Sequence, residues 1–212
     1  MYRPYIVGEK IYLRALERDD LKGNMFDWAN DPETTYYMYM GTVPNTMEAL
    51  EREYEAMTST GTGSLLQLAS NPSCVVFAIV DKAKDVHIGN IGFYGISWLY
   101  RTAELRSVIG EKEYWGGGYS SEAYCLALYY GFDRLNLRKV WAGCREDNFA
   151  AAMAMKRVGF LQEGRQRQQI LRNETAYDVV LYGLLREEFF ALFSKLEQKP
   201  PSISVGKERK RP

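Results

Sequence analysis

Apolar and polar residues alternate along much of this chain in short blocks, and these blocks predict strands. Residues 74–80 and 88–96 are mostly apolar and enclose a polar stretch, residues 82–85, as expected for two strands joined by a hairpin turn. Runs that alternate or carry β-branched residues predict five more strands, at residues 10–16, 102–110, 138–144, 162–171 and 177–185. The pattern therefore predicts about seven strands in a chain whose length fits one domain.

Blocks with a helical composition separate several of these strands. Ala, Leu and Tyr dominate residues 121–135, and Ala and Met dominate the stretch that begins with a capping Asn148 and ends at Gly159. Three further helices are predicted at residues 19–29, 47–57 and 186–196. Asp19 and Asp20 are the predicted cap of the first of them.

A run of three glycines joins the strand at 102–110 to the helix at 121–135. Gly116, Gly117 and Gly118 allow unusual φ values and put no side chain between the backbone amides and a ligand. The start of the following helix adds unpaired N–H groups and the positive end of a dipole. The loop is therefore suited to bind phosphate, the alternative being a glycine-rich turn without a ligand.

Several motifs together resemble the GCN5-related N-acetyltransferase (GNAT) superfamily. The first is Trp-Gly-x-Gly-Tyr at residues 115–119, placed between a strand and a helix. The second begins at Asn148 in the pattern Asn-x-x-Ala, and Gly-Phe follows eleven residues after that Asn, within Gly-Phe-x-x-Glu-Gly at residues 159–164. The latter phrase, with Tyr-Leu-Arg-Ala-Leu at 12–16, resembles the RimJ/RimL-type branch, and the resemblance covers roughly residues 10 to 186.

The resemblance implies a fold of the α+β (mixed α/β) class. We expect a central, twisted, mostly antiparallel sheet of about seven strands, splayed in the middle and flanked by helices. Residues 1–198 would form this acetyltransferase domain, and residues 199–212 are expected to be a basic, disordered tail.

The resemblance also implies acetyl-CoA as cosubstrate and identifies residues that would bind it. In the superfamily, the strand before the glycines binds the pantetheine arm through its backbone, and here the amides of Val108 and Ile109 would do so and polarise the thioester. Asn148 would reach the same arm with its side-chain amide. The pyrophosphate would lie against the backbone of the glycine loop, which we define as residues 113–120, chiefly at Glu113, Gly116, Gly117, Gly118, Tyr119 and Ser120. Glu113 stands where the family commonly has Arg or Gln.

The candidate base is Glu104, again by resemblance. It would accept the proton of the amine directly or through water, and the alternative is a structural ion pair with Arg101.

Two residues that serve as acids in many relatives are replaced in this chain. Met155 stands seven residues after Asn148, where many members have Tyr, and Ala151 stands where RimJ/RimL-type relatives often have Ser. The thiolate would then receive its proton from Tyr182, Tyr119 or water, or CoA would leave as an unprotonated thiolate.

The amine acceptor is predicted only as a class. The aromatic segment, residues 36–40, would form one wall of the acceptor site or pack in the core, and the loop at 58–72 is the expected mobile segment beside it. The acidic face of the helix at 47–57 is a solvated surface or a contact for a cation. Acceptors consistent with the resemblance are a protein N-terminus, an amino sugar, a sugar nucleotide, an amino acid or a polyamine. A non-catalytic acetyl-CoA-binding module is the alternative of another class.

Composition excludes some functions. Lys plus Arg and Asp plus Glu both number 27, which predicts no general affinity for nucleic acid or membranes. With no apolar segment long enough for a membrane span, we expect a cytoplasmic protein, monomeric or homodimeric. Cys74, Cys125 and Cys144 are expected to be reduced thiols, no metal is expected, and the single histidine, His87, is not expected to be the base.

Overall fold

The structure is a computed structural model that describes residues 4–58, 72–195 and 202–203. The predicted loop at 58–72 lies almost entirely outside the described residues, as does most of the predicted tail at 199–212. The two described tail residues, Ser202–Ile203, form a short strand that pairs with the edge strand Ile6–Val7.

One sheet contains all nine strands of the described residues, in the order β7-β8-β6-β5-β4-β3-β2-β1-β9. All seven predicted strands are present within two residues of their predicted ends, and the two additional strands are two residues long. The strands are β1 Ile6–Val7, β2 Ile11–Ala15, β3 Val75–Asp81, β4 Val86–Ser97, β5 Thr102–Ile109, β6 Lys139–Arg145, β7 Leu161–Arg172, β8 Thr175–Leu185 and β9 Ser202–Ile203.

Helices cover both faces of this sheet. They are α1 Arg18–Asp20, α2 Phe26–Asn30, α3 Met47–Thr58, α4 Tyr119–Asp133, α5 Phe149–Arg157 and α6 Arg186–Lys195, with a π turn at Leu21–Met25 and 3₁₀ turns at Tyr39–Thr42 and Lys112–Tyr114. No helix among the described ranges is long and apolar enough to cross a membrane.

The first predicted helix is interrupted in the structure. Gly23 has non-helical dihedral angles, φ −86° and ψ −142°, so the helix divides into α1, the π turn and α2. The predicted cap is also displaced, because Asp20 turns its carboxylate towards Arg14 and the backbone N–H of Glu17. The N-cap of α1 is Glu17, and Asp20 is the third residue of that helix, so the predicted cap of Asp19 and Asp20 was wrong.

The sheet splits between β5 and β6, the one parallel pair among the described strands. These strands pair over only three residues each, from Thr102 opposite Lys139 to Glu104 opposite Trp141. Beyond Glu104 the two strands diverge, which confirms the predicted splay and leaves the backbone of residues 105–109 facing an opening. We call this opening the split.

The main core lies between the sheet and α4. This helix is apolar around most of its circumference, and Ala123, Leu126, Ala127 and Leu128 are all buried. Phe132 and Phe189 extend the same core towards α6. Helices α1 to α3 lie over strands β2 to β4 on the opposite face, around smaller apolar clusters. The two helical layers therefore cover opposite faces of the sheet.

Candidate active site

The glycine loop has a backbone conformation that requires glycine at two positions. Gly116 has φ +75° and Gly118 has φ +83°, and a Cβ built on either residue would meet no atom within 4 Å. Space is therefore open in front of both, and the constraint comes from the left-handed backbone. Gly118 is the N-cap of the 15-residue helix α4, whose first N–H groups follow it. The loop presents backbone donors and the positive end of a helix dipole to open space, as a phosphate site requires.

Contacts from Lys10 and packing between two tyrosine rings hold the glycine loop and the start of α4 in position. Lys10 Nζ donates to Gly117 O at 3.1 Å and lies 5.5 Å from the centre of the Tyr119 ring. The Tyr119 ring packs edge-on against Tyr114, with 5.0 Å between ring centres. The backbone N–H of Lys10 donates to Glu122 in the first turn of α4, at 2.9 Å. The loop therefore has a lysine charge close to it.

Glu113, at the start of the loop, is balanced by another lysine. Its carboxylate lies 3.1 Å from Lys84 Nζ, and both side chains are more than half exposed. The acidic residue at this position therefore adds little net charge beside the proposed phosphate site. Ser120 follows as the second residue of α4.

The backbone of β5 supplies donors to the split at alternate residues. Gly110 N donates to Ile88 O of β4 at 2.9 Å, and Arg101 O accepts from Arg138 N beside β6. Because successive residues of a strand face opposite neighbours, the amide of Val108 belongs to the ladder with β4, and those of Ser107 and Ile109 face the split. Of the two amides expected to meet a cofactor, Ile109 thus faces the opening and Val108 does not.

Asn148 lies across the split, at the start of α5. Its Oδ1 accepts from Ala151 N at 3.1 Å, so the residue caps the helix as predicted. This cap uses only the oxygen of the side chain, and within the described residues the amide Nδ2 has no hydrogen-bond partner.

A cavity of about 460 Å³ lies on the face of the sheet covered by α1 to α3. We call it the aromatic cavity, because its walls include Trp28, Tyr37, Tyr39, Tyr54 and Tyr94, with Met25, Met38, Met40 and Met57 between them. Four residues of the aromatic segment, 37–40, are part of that wall. Ser107 and Val108 of β5 and Gly143 of β6 also line it, so the cavity reaches both sides of the split.

Glu104 is the acidic group on the β5 side of the aromatic cavity. Its carboxylate lies 2.6 Å from Nη2 of Arg106, whose guanidinium lies 5.0 Å from the centre of the Tyr94 ring. Burial raises the pKa of Tyr94 to about 12, so its hydroxyl is protonated at neutral pH. The prediction that Glu104 pairs with Arg101 was wrong, because its partner is Arg106. Residues two apart share a face of a strand, whereas Arg101 lies in the preceding turn with φ +54°. Glu53 of α3 is a second carboxylate of the cavity wall.

The structure does not bring Tyr182 beside Glu104. Tyr182 lies on β8, is 4% exposed, and packs on the face of the sheet that meets α5. Strand β6 lies between β5 and β8, and Glu104 points to the opposite face. Burial raises the pKa of Tyr182, and nearby Cys144 raises it further. Met155, at the position where many GNAT relatives have Tyr, is fully buried.

His87 belongs to a buried charged cluster next to the cavity. Arg14 and Asp20 form a two-bond ion pair at 2.7 Å, and His87 Nδ1 lies 3.5 Å from Asp20 Oδ1. Nε2 of His87 lies 2.9 Å from Oδ1 of Asn90, which lines the cavity. Burial lowers the pKa of His87, although the Asp20 carboxylate opposes that shift. The histidine therefore supports the cavity floor and does not line the cavity itself.

Sequence reasoning missed a second buried arginine, Arg145, at the end of β6. Its guanidinium binds Asp147 and is surrounded by the rings of Tyr36, Tyr37 and Tyr177. The signal available in the sequence was the pair Arg-x-Asp directly before Asn148, a spacing that places two opposite charges beside a helix cap.

No group of three or more His, Cys, Asp and Glu side chains in the described part of the chain could hold a metal ion. The cysteines form no disulfide, and burial raises the pKa of the Cys125 thiol to about 12 and that of Cys144 to about 11. These thiols are thus protonated at neutral pH.

Comparison with known proteins identifies related chains. A family model described as "Acetyltransferase (GNAT) domain" matches residues 10–161. "Uncharacterized N-acetyltransferase YoaA" of Bacillus subtilis is 27% identical over 183 residues, which cover 86% of this chain and 97% of that protein. Spermidine N(1)-acetyltransferase of Escherichia coli K12 is 27% identical over 202 residues, 94% of this chain and 96% of the other. The crystal structure of spermidine N-acetyltransferase from Vibrio cholerae in complex with CoA and spermine superposes with a TM-score of 0.72 at 25% identity, covering 86% of this chain and 99% of that one.

Proposed function

The chain belongs to the GNAT acetyltransferase family, and we propose that it moves the acetyl group of acetyl-CoA directly to the primary amine of a small molecule bound in the aromatic cavity. One observation carries this proposal. Strand β5 lines the aromatic cavity with Ser107 and Val108 and leads directly into the glycine loop, so a cofactor held by the loop and an acceptor held by the cavity would meet at β5.

Acetyl-CoA would bind mainly through backbone groups. The pyrophosphate would accept from the N–H groups of the glycine loop and the first turn of α4, with the Lys10 charge nearby. The pantetheine arm would follow the open edge of β5 and accept from the N–H groups of Ser107 and Ile109. Asn148 Nδ2 would contact the arm from the α5 side of the split.

Acetyl transfer would then proceed by direct attack. The neutral amine forms a C–N bond with the thioester carbonyl carbon, and the Ile109 N–H stabilises the oxygen that becomes negative. Glu104, which is paired with Arg106, accepts the proton that the amine loses, directly or through water. The C–S bond breaks, and the departing thiolate takes a proton from Tyr182, Tyr119 or water, or leaves unprotonated. Glu104 is the proposed base, and Tyr182 is the first candidate for the acid.

The chemistry of the cavity favours an amine with an apolar or extended carbon skeleton and a second positive charge. Methionine and aromatic side chains offer dispersion contacts and ring faces to such a skeleton, and Glu53 offers a carboxylate on the wall formed by α3. The Vibrio cholerae relative contains CoA and spermine together, which makes polyamines the first class to examine. A protein N-terminus, suggested by the RimJ/RimL-type motifs, is the second candidate.

A free-thiol assay tests the proposal. Purified protein and saturating acetyl-CoA are combined with spermidine, spermine, amino sugars, sugar nucleotides, amino acids and peptides with free N-termini, and the CoA released is measured. We expect release above the amine-free rate with a small diamine or polyamine. Release with peptides alone would replace the small-molecule acceptor by a protein N-terminus. Tight acetyl-CoA binding by calorimetry with no release for any amine would contradict catalysis and favour the binding module.

A further inference from the structure

Arg145 is a buried cation held in a fixed orientation. Its side chain is 2% exposed, and its Nε and Nη2 donate to the two carboxylate oxygens of Asp147 at 2.6 and 2.9 Å. These hydrogen bonds hold the pKa of Asp147 below its ordinary value, so the carboxylate is ionised at neutral pH. A bidentate pair fixes the plane of the guanidinium as well as its position.

Three tyrosine rings surround this guanidinium. Its central carbon lies 4.7 Å from the ring centre of Tyr36, 4.5 Å from that of Tyr37 and 4.3 Å from that of Tyr177. The hydroxyl of Tyr37 also donates to the backbone oxygen of Asp147 at 3.2 Å. Cation and ring faces attract most strongly where water is excluded, as it is around this side chain.

The rings come from opposite sides of the split. Tyr177 belongs to β8, whereas Tyr36 and Tyr37 belong to the aromatic segment, which follows α2 on the side of β2 to β4. Arg172 of β7 adds a further contact, with its guanidinium 4.6 Å from the Tyr36 ring centre. The aromatic segment therefore crosses the split and is fastened to the β6–β8 side, and residues 37–40 then line the aromatic cavity.

We propose that Arg145 is a positioning residue for the acceptor: it clamps the aromatic segment across the split and so sets the shape of the cavity wall. The inference rests on the proposed function, because it assigns the cavity to the acceptor. Lysine would keep the charge but lack the planar fork that binds Asp147 and stacks on three rings. Arg145→Lys should therefore loosen the aromatic segment, which forms part of the cavity wall, and leave the conformation of the glycine loop unchanged.

Hydrogen exchange tests the clamp without any acceptor. The amides of residues 36–42 are followed by mass spectrometry in the wild type, in Arg145→Lys and in the matched control Arg165→Lys. Arg165 pairs with Glu146 and Asp178 at the same end of the sheet but makes no recorded contact with the tyrosines. We expect exchange at 36–42 to become about tenfold faster in Arg145→Lys only. Equal rates in all three proteins would overturn the proposal.

Kinetics test the consequence for the acceptor. With the amine that gives the highest turnover in the thiol assay, Arg145→Lys should raise the KM for that amine about tenfold and leave the Kd for acetyl-CoA within about twofold of wild type. A loss confined to acetyl-CoA affinity would contradict the assignment. If no amine reacts, the proposed function fails, and the exchange data still decide whether the clamp exists.

Tyr177→Leu is a second variant for the hydrogen-exchange test of the clamp, in case Arg145→Lys does not fold. Tyr177 contributes one of the three rings and does not line the cavity, so its loss should speed exchange at 36–42 about threefold. Tyr177→Phe keeps the ring and should restore the wild-type rate. A leucine variant with wild-type exchange would argue against the clamp.

Discussion

The proposed active site has two sides, a glycine-loop side and a cavity side, and they are built in different ways. On the glycine-loop side, the groups proposed to bind the cosubstrate are mostly backbone N–H groups of one continuous stretch, β5 through the start of α4. On the cavity side, the groups are mostly side chains, which come chiefly from the π turn, α2, α3, the aromatic segment and strands β3 to β6. The first side depends on backbone conformation and the second on packing, so substitutions should affect them separately.

Gly118→Asp should produce the largest effect, confined to the loop side. The carboxylate would lie where the pyrophosphate is proposed to bind, and two like charges about 4 Å apart at an effective dielectric of about 20 repel by about 4 kcal/mol. We expect the Kd for acetyl-CoA, measured by calorimetry, to rise about 10³-fold.

Gly95→Asp is the matched control for this substitution. Gly95 also has a positive φ, +56°, and open space at its Cβ position, but it lies near the end of β4. Both variants carry a similar backbone strain, so only the charge at the loop differs. Similar affinities for the two variants would show that the loop does not bind the pyrophosphate.

Asp20→Asn should weaken the cavity side by removing one partner of the buried Arg14–Asp20 pair. Breaking a pair of this kind costs about 3–5 kcal/mol, and urea unfolding should show a loss of that order. Asp19→Asn is the control, because Asp19 is adjacent and exposed. A loss equal to that of the control would mean that the pair contributes no net stability.

The same pair predicts how stability depends on pH. Burial alone would raise the pKa of Asp20, but hydrogen bonds from Arg14 and the Glu17 N–H lower it below the ordinary value. A lowered carboxyl pKa contributes stability above the ordinary value of about 4 and loses it as pH falls through the folded value. The difference between wild type and Asp20→Asn should therefore shrink below about pH 4. A difference that grew in acid would contradict this sign.

Glu104→Gln tests the chemistry where the two sides meet. If Glu104 accepts the amine proton, kcat should fall about 10²-fold with little change in the Kd for acetyl-CoA. Arg106→Gln is the informative companion, because it breaks the same ion pair but keeps the carboxylate. Equal losses of kcat in both variants would assign Glu104 a structural role.

The contrast between the two sides also explains what could be predicted from the sequence. The glycine loop and the Asn148 cap are properties of contiguous stretches, whose spacing is visible in one reading of the chain, and the divergence after β5 was expected from the family resemblance. The Arg145 cluster joins residues 36, 37, 145 and 177, and no local pattern relates them. Likewise, the first helix is predicted from composition to be continuous but is interrupted at Gly23, and its predicted cap Asp20 binds the distant side chain of Arg14.

Tyr182→Phe should have the smallest effect of these substitutions. It tests whether Tyr182 protonates the departing thiolate. A tyrosine that protonates the thiolate would contribute to kcat, but a thiolate is a weakly basic leaving group, so we expect a loss of about tenfold, below the usual range for a general acid. Tyr130→Phe is the matched control, since its hydroxyl also has a pKa raised by burial, to about 12, but it packs against Tyr5 and Phe77 away from the split. A tenfold loss in Tyr182→Phe alone supports proton donation by Tyr182. Wild-type turnover would remove it from the mechanism and leave water, or an unprotonated thiolate, as the means by which CoA departs.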